Sequence, residues 1–295
     1  MPASTNVMVA LYNILDRNST ILSRIIRSDG SANAAGDSLE FFVKDMFCTG
    51  ASQYQGVDQK QPVYERFLSW TGNSSNFPDF IVRGGVGVEP KKMNNRSKAS
   101  LSLNSSYPKD YIYPDTQNIP RAENMSTEEE GWERKSIIYA VGNMRQNDAK
   151  LFSLWLVYGN TFIADRQIYL DRIDEIRKLL KASTASLSET KELGRLLRID
   201  PSGSTNLRIR PMYELKHPAV VFNQFIPEHV FPEDSSEIFV VITLEDLNEL
   251  ESQSITPDLT RFINEGRLIR TDIDLPDPND ATRTIPSVIF CGYTD

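Results

Sequence analysis

Apolar residues in this chain recur with two different spacings, and the two alternate along its length. A helical spacing shows in DSLEFFVKDMF, where Leu39, Phe42, Val43, Met46 and Phe47 fall at i, i+3, i+4, i+7 and i+8. A two-residue spacing follows it. Asp79, Ile81 and Arg83 alternate with Phe80 and Val82, Gly84 and Gly85 break the run, and Val86 and Val88 then alternate with Gly87 and Glu89. Two short strands joined across a Gly-Gly break predict a hairpin. Apolar runs at 137–141 and 151–158 predict buried strands. RQIYLDRIDEIRKLLK predicts a helix over 166–181 with Tyr169, Ile173, Ile176 and Leu180 on one face. Leu207 and Ile209 alternate with Arg208 and Arg210, as in a strand whose apolar pair faces the core, and 237–244 predicts a further strand. Helices are expected over about 7–26, 245–252 and 257–266, and the polar stretch 93–134 reads as long loops. Such mixing restricts the fold to α/β or α+β.

The chain of 295 residues, 40% of them hydrophobic, can bury a sizeable core. No uncharged apolar run reaches about 18 residues, so no membrane span is predicted. The N-terminal segment carries no basic stretch ahead of its apolar residues, so no secretory signal is expected and the cytoplasm is the expected location. Two cysteines, Cys48 and Cys291, make neither a disulfide framework nor a metal cluster. Two histidines, His217 and His229, argue against His-based metal sites and Ser-His-Asp triads, and both are read as structural or surface residues. The net charge of −8 hides a split: residues 228–295 hold 15 acids and 4 bases, the first 227 hold 25 acids and 28 bases. An acidic balance argues against loose, non-specific nucleic-acid binding but not against a cleft that concentrates bases.

The residues that point to chemistry lie on the predicted hairpin. Asp79 follows Pro78 at the start of one strand, and Glu89 and Lys91 stand two apart on the next, so those two share a face. A hairpin can bring that face opposite Asp79. Two carboxylates about 4–6 Å apart repel unless a cation lies between them. Oxygen ligands, few in number and with room for water, suit Mg²⁺. A lysine beside them can contact a phosphate oxygen, or orient and deprotonate an attacking water. This is the equipment of metal-assisted phosphodiester hydrolysis. The plain alternative is a surface hairpin with a solvated Asp79 and an i, i+2 Glu89–Lys91 pair. Glu40, beside Phe47 around the preceding helix, is either the polar rim of that helix's buried face or part of a site beneath it.

Several ordered segments carry a wider likeness: SANAAGDSLEFFVKDMF, GNSSNFPDF with GVEPKKM, LSLNSSYPK, IIYAVG, LWLVYGNTFIADRQIY and ELGRLLRIDPSGSTNLRIRPMY. Over roughly residues 30–225 the chain resembles the type II restriction endonucleases of the NgoPII kind, within the PD-(D/E)xK nuclease superfamily. The resemblance implies an α/β, restriction-endonuclease-like core, a mixed central sheet flanked by helices. Residues 1–227 would form the catalytic and DNA-binding core, and the acidic region 228–295 would belong to the same domain. It places Asp79, Glu89 and Lys91 in the catalytic site, with Asp79 and Glu89 as metal ligands and Glu40 as a nearby helix acid. It implies Mg²⁺ as cofactor and double-stranded DNA as substrate, cut at GGCC or a close GC-rich palindrome. A homodimer follows from the site's symmetry, and a cognate DNA methyltransferase would be a genetic rather than a physical partner. Pro90 departs from the pattern, because an aliphatic residue is expected between Glu89 and Lys91. Proline removes a ladder donor, which puts the local strand in question and makes Lys92 a rival to Lys91.

Two basic stretches flank this hairpin. Arg83–Lys98 holds five bases and one acid, and Lys191–Lys216 holds six bases and three acids. Candidate DNA-binding residues are Asn94, Arg96, Lys98, Ser102, Asn104, Ser105, Arg195, Arg198, Arg208 and Arg210, each of a type that contacts phosphates or base edges. Each can equally be a solvated or self-capping surface residue. Two further functions stay open on the residues alone: a DNA-binding or assembly protein with a vestigial nuclease site, and a non-specific repair nuclease.

Overall fold

The structure is a computed structural model and describes residues 2–22, 35–104, 106–125, 131–145, 149–182, 193–196, 200–202, 204–228 and 231–295. Two helices come first, α1 (Val7–Arg17) and α2 (Ala35–Phe47), and α3 (Val57–Phe67) runs straight into β1 (Leu68–Trp70). Strands β2 (Phe80–Val82), β3 (Gly87–Asn94), β4 (Leu101–Asn104), β5 (Tyr111–Ile112), β6 (Lys135–Met144) and β7 (Leu151–Tyr158) follow. Helix α4 (Arg166–Ala182) precedes β8 (Gly194–Leu196), β9 (Leu207–Ile209), β10 (Met212–Leu215) and the single turn α5 (Pro218–Val221). The last third comprises β11 (Ser236–Thr243), α6 (Leu244–Glu251), α7 (Thr260–Asn264), β12 (Leu268–Asp277) and β13 (Asp280–Thr294).

One mixed sheet organises these elements, in the order β1-β2-β3-β6-β7-β11-β13-β12, with β5 pairing on β6. The β3–β6 and β7–β11 pairs are parallel, and the other pairs along that order are antiparallel. Both faces of the central strands are apolar, which explains their continuous rather than alternating sequences. On β6, Ile138 and Ala140 pack with α1, α2 and α6 on one side, while Ile137, Tyr139 and Val141 pack on the other with Trp155, Phe162 and Phe222. The fold is the α/β, restriction-endonuclease-like arrangement that the resemblance implied.

The predicted hairpin is present, with Phe80 opposite Val88 and Ile81 opposite Gly87. Helix α2 buries the residues that its periodicity selects: Leu39, Phe42, Val43, Met46 and Phe47 are all nearly inaccessible. Its seat is Gly142 of β6, where a Cβ would lie 2.6 Å from the Leu39 Cδ1 atom. The helix therefore packs against the sheet backbone itself, and this fixes where Glu40 stands. Helix α1 ends sooner than its apolar spacing suggests. Asn18 adopts φ 49° and its N–H caps the Ile14 and Leu15 carbonyls, so the chain turns at residue 18. Residues 57–70 are helix and then strand, and the stretch read as loops contributes β4 and β5.

Two expectations fail on exposure. The apolar face of α4 is only half covered: Tyr169 stacks on Tyr107 and Ile173 and Leu180 are partly buried, but Ile176 is 43% exposed. Leu207 is 46% exposed, so the apolar pair of β9 does not both face the core. The long hairpin β12–β13 closes the other end of the sheet. Arg270, Asp272 and Asp274 alternate along β12 and face solvent on the outermost strand. Charges on such an edge discourage pairing with other chains, and here they obscure a strand signal that Thr271, Ile273 and Leu275 do carry.

Candidate active site

Pro78 precedes β2 through a cis peptide bond from Phe77, and the Trp70 indole N–H donates to the Pro78 carbonyl at 3.1 Å. The backbone N–H of Phe77 donates to the Asn118 carbonyl at 2.9 Å. Both ends of the Phe77–Pro78 turn are thus tied down before Asp79 begins its strand. Continuing the β2–β3 register by one residue sets Asp79 opposite Glu89. The Asp79 backbone N–H donates to Glu89 Oε2 at 3.1 Å, and Lys91 Nζ donates to Glu89 Oε1 at 2.6 Å. Glu89 is buried and Lys91 is about a quarter exposed.

Glu40 reaches the same place from α2. The turn that carries Gly72 separates it from Asp79: a Cβ on Gly72 would lie 2.2 Å from the Asp79 carbonyl oxygen and 3.6 Å from Glu40 Oε1. Lys44, one helical turn on and 4% exposed, donates to Glu40 Oε1 at 2.5 Å and to the Thr71 carbonyl at 2.7 Å. Burial, then the Glu89 and Glu40 carboxylates, push the Asp79 carboxyl up to about 7, against the pull of Lys91 and Lys44. The arrangement is a crowded acid pair with a third acid at its rim and two lysines that offset them. The bare pair is electrostatically unfavourable and is relieved by a proton or a cation.

Pro90 does not interrupt the strand. β3 pairs with β6 from Gly87 to Asn94 without a break, Pro90 opposite Ala140. On its other side β3 pairs with β2 only through Val88, so the outer side from Glu89 onward has no strand to which a donor is due. Lys91 shares the face of Glu89, while Lys92 is exposed on the opposite face, so the lysine that joins the acids is Lys91.

A further lysine, which the spacing of residues does not reveal, lies close by. Lys109 is 3% exposed, its Nζ 4.4 Å from the centre of the Phe77 ring and 4.9 Å from that of Tyr107. Burial lowers its ammonium to about 8, with Glu89 opposing the shift and Lys91 adding to it. Lys44 had a sequence signal, the i, i+4 spacing from Glu40. Lys109 had none beyond its place at the end of LSLNSSYPK.

The candidate DNA-binding residues fall into two ladders and a turn. Asn94 and Lys98 are exposed around the end of β3. Arg96 lies 4.6 Å over the Phe152 ring and 3.6 Å from Glu237, so its guanidinium is already engaged. On β4, exposed Ser102 stands opposite Glu214 of β10, and Asn104 opposite Met212. Exposed Arg195 stands opposite exposed Arg208 on the β8–β9 ladder, and exposed Arg210 follows that strand. Ser105 and Arg198 lie outside the described residues, as does His229. His217 is structural: its Nδ1 accepts from the Ala219 N–H and its Nε2 lies 3.0 Å from Asn143 Oδ1. The amide of Asn143 donates to the Asn95 and Ser97 carbonyls, which tethers the turn after β3. A cleft of about 550 Å³, lined in part by Asp110, Arg134, Asn160 and Asp246, lies away from Asp79 and Glu89. An open surface suits a duplex better than that pocket does, so its size does not locate the chemistry.

A mixed sheet flanked by helices, with an acid pair and a lysine on one of its hairpins, defines a restriction-endonuclease-like protein. The chain belongs to the NgoPII restriction endonuclease family, whose sequence profile matches residues 5–275. The type II restriction enzyme NgoPII of Neisseria gonorrhoeae is 32% identical over 279 residues, 94% of this chain and 96% of that enzyme. The likeness therefore extends well beyond residue 225 into the acidic C-terminal region. No solved structure matches significantly.

Proposed function

We propose that the β2–β3 hairpin is the active centre of a Mg²⁺-dependent endonuclease that cuts double-stranded DNA at a short GC-rich palindrome, GGCC or a close relative. The observation that carries this reading is the convergence of Asp79 and Glu89 across one hairpin, with Lys91 on the same face. The donor set fits the ion. Among the described residues no group of three or more acidic, His or Cys side chains encloses a metal, but Mg²⁺ commonly takes one or two carboxylates and completes its shell with water and phosphate oxygens. Asp79 and Glu89 would hold it. Bound there, it supplies charge neutralisation at the phosphate and a more acidic water.

The chain's own groups account for the rest. Lys91 stands where it can orient the attacking water or meet a phosphate oxygen. Glu40, clamped by Lys44, adds negative charge at the rim and keeps Asp79 selective for a cation. Asn94, Lys98, Ser102, Asn104, Ser105, Arg195, Arg198, Arg208 and Arg210 hold or read the duplex, joined by Arg96, which is 65% exposed even where it is engaged. The exposed apolar residues of α4, β9 and β10 (Ile168, Ile176, Leu179, Leu207 and Met212) offer a surface for a second copy, as a palindromic target requires. Sedimentation at twice the chain mass is expected, and a monomer at micromolar concentration would remove the dimer. In the cell, a cognate methyltransferase would protect the same sites. Continuous pairing through Pro90 speaks against a vestigial site.

Digestion of a fully sequenced plasmid with Mg²⁺, followed by mapping of the fragment ends, tests the reading. Discrete fragments with a common end sequence are expected. Retarded but intact DNA would support a vestigial site, and a smear of products a non-specific nuclease.

A further inference from the structure

Lys109 is a buried cation that, among the described residues, has no counter-charge in contact. Its Nζ donates to Ser106 Oγ at 2.5 Å and to the Tyr107 carbonyl at 3.1 Å, which leaves one N–H unspent. Two aromatic faces, Phe77 and Tyr107, cover it. Among the described residues no carboxylate forms an ion pair with it. Buried charges are ordinarily paired, because desolvation of an isolated ammonium is strongly unfavourable. The fold nevertheless holds this one firmly. Its backbone N–H donates to the Tyr139 hydroxyl at 2.8 Å, and Tyr139 stands opposite Glu89 in the β3–β6 ladder. Phe77, beneath the ammonium, belongs to the turn that leads into Asp79. Lys109 thus lies behind the acid pair, and Glu89 and Lys91 are the charges that act on it.

We propose that Lys109 is a positioning residue of the nuclease centre, whose charge, held over the Phe77 ring behind the acid pair, offsets the negative charge that gathers at that pair during cleavage. The inference rests on the proposed reading of the β2–β3 hairpin as the active centre. At 3% exposure the side chain is too enclosed to bind free DNA, so it acts through Phe77, Glu89 and the field at the phosphate. Its contacts are an uncharged hydroxyl, a carbonyl and two rings, and the ring of Phe77 belongs to the turn that carries Asp79, so the charge is placed to act on the acid pair.

The test is Lys109→Met, which keeps the shape of the stem and removes the charge, with Lys109→Arg as the variant that keeps it. Lys109→Met is expected to unfold at the wild-type temperature or above, since an uncompensated buried charge is gone. It should bind a target duplex in Ca²⁺ within about threefold of wild type, yet cleave it in a single turnover with Mg²⁺ about 10²-fold more slowly, the size of one lost charge-stabilising contact. Lys109→Arg should recover part of that rate. Wild-type cleavage by Lys109→Met would overturn the proposal, and so would a clear loss of thermal stability, which would make Lys109 a structural residue. Asp79→Ala and Lys91→Ala, run alongside, separate the two failures. If both are inactive while Lys109→Met is not, only the proposal for Lys109 falls; if both still cleave, the assignment of the hairpin falls first.

Discussion

Asp79 binds its proton more tightly in the folded chain than in the unfolded one, and that has a consequence for stability. A carboxyl raised from 3.8 to about 7 costs the fold stability as pH climbs through that interval, because the folded state must ionise an acid beside Glu89 and Glu40. Asp79→Asn removes the ionisation. In metal-free buffer at pH 8 it should raise the Tm by about 2–4 °C, roughly 1 kcal/mol, and the gain should shrink at pH 5. Thermal melts at the two pH values check this, and a variant less stable than wild type at pH 8 would contradict the crowded-pair account. Asp79, Glu89 and Lys91 were legible in the sequence because strand alternation and a Gly-Gly break suffice to place them on one face. Lys109 was not, because the Phe77 ring that covers its ammonium and the Tyr139 hydroxyl that accepts from its backbone N–H lie far from it in the chain. Local spacing carries no information about such a contact. Nor could spacing separate Lys91 from Lys92, which the pairing of β3 does.

The elements that aim these residues meet at two glycines. At Gly142, α2 rests on β6, and at Gly72 the chain passes between Glu40 and the Asp79 backbone with φ +93°. A side chain at Gly72 would be strained in the left-handed region and would strike the Asp79 carbonyl oxygen at 2.2 Å. Gly72→Ala should therefore destabilise the protein by about 1–3 kcal/mol and slow cleavage as the hairpin shifts. Denaturant unfolding and a cleavage time course measure both, and unchanged values would mean that the turn is free to move. Helix α2 and the hairpin could be foreseen because each follows a single clean period. The β12–β13 hairpin is not legible in the sequence because charges on its solvent face dominate the composition of 268–280. The half-covered apolar face of α4 shows the converse: helical periodicity predicts a helix, but not what lies against it.

Across the whole molecule the charge is uneven, and the acids are concentrated toward the C-terminal third. Three of them, Asp272, Asp274 and Asp277, lie on β12 at the far edge of the sheet from β1–β3. Bases gather instead on the turn after β3 and on the β8–β9 ladder, where Arg195 and Arg208 face each other. Both are exposed, and guanidinium groups side by side on one ladder suit the phosphates of a duplex. Replacing both by alanine should weaken binding to all sequences alike and reduce the salt slope of log K by about 1–2. Binding isotherms at several salt concentrations decide it; an unchanged slope would place this ladder away from DNA. One comparison tests the hairpin most directly: cleavage of a mapped target duplex with Mg²⁺ by wild type and by Asp79→Ala, each first shown to be folded and to retain the duplex in Ca²⁺. The wild type should cut both strands at one position while the variant binds and leaves the duplex intact. Cleavage by Asp79→Ala at the wild-type rate would contradict the assignment.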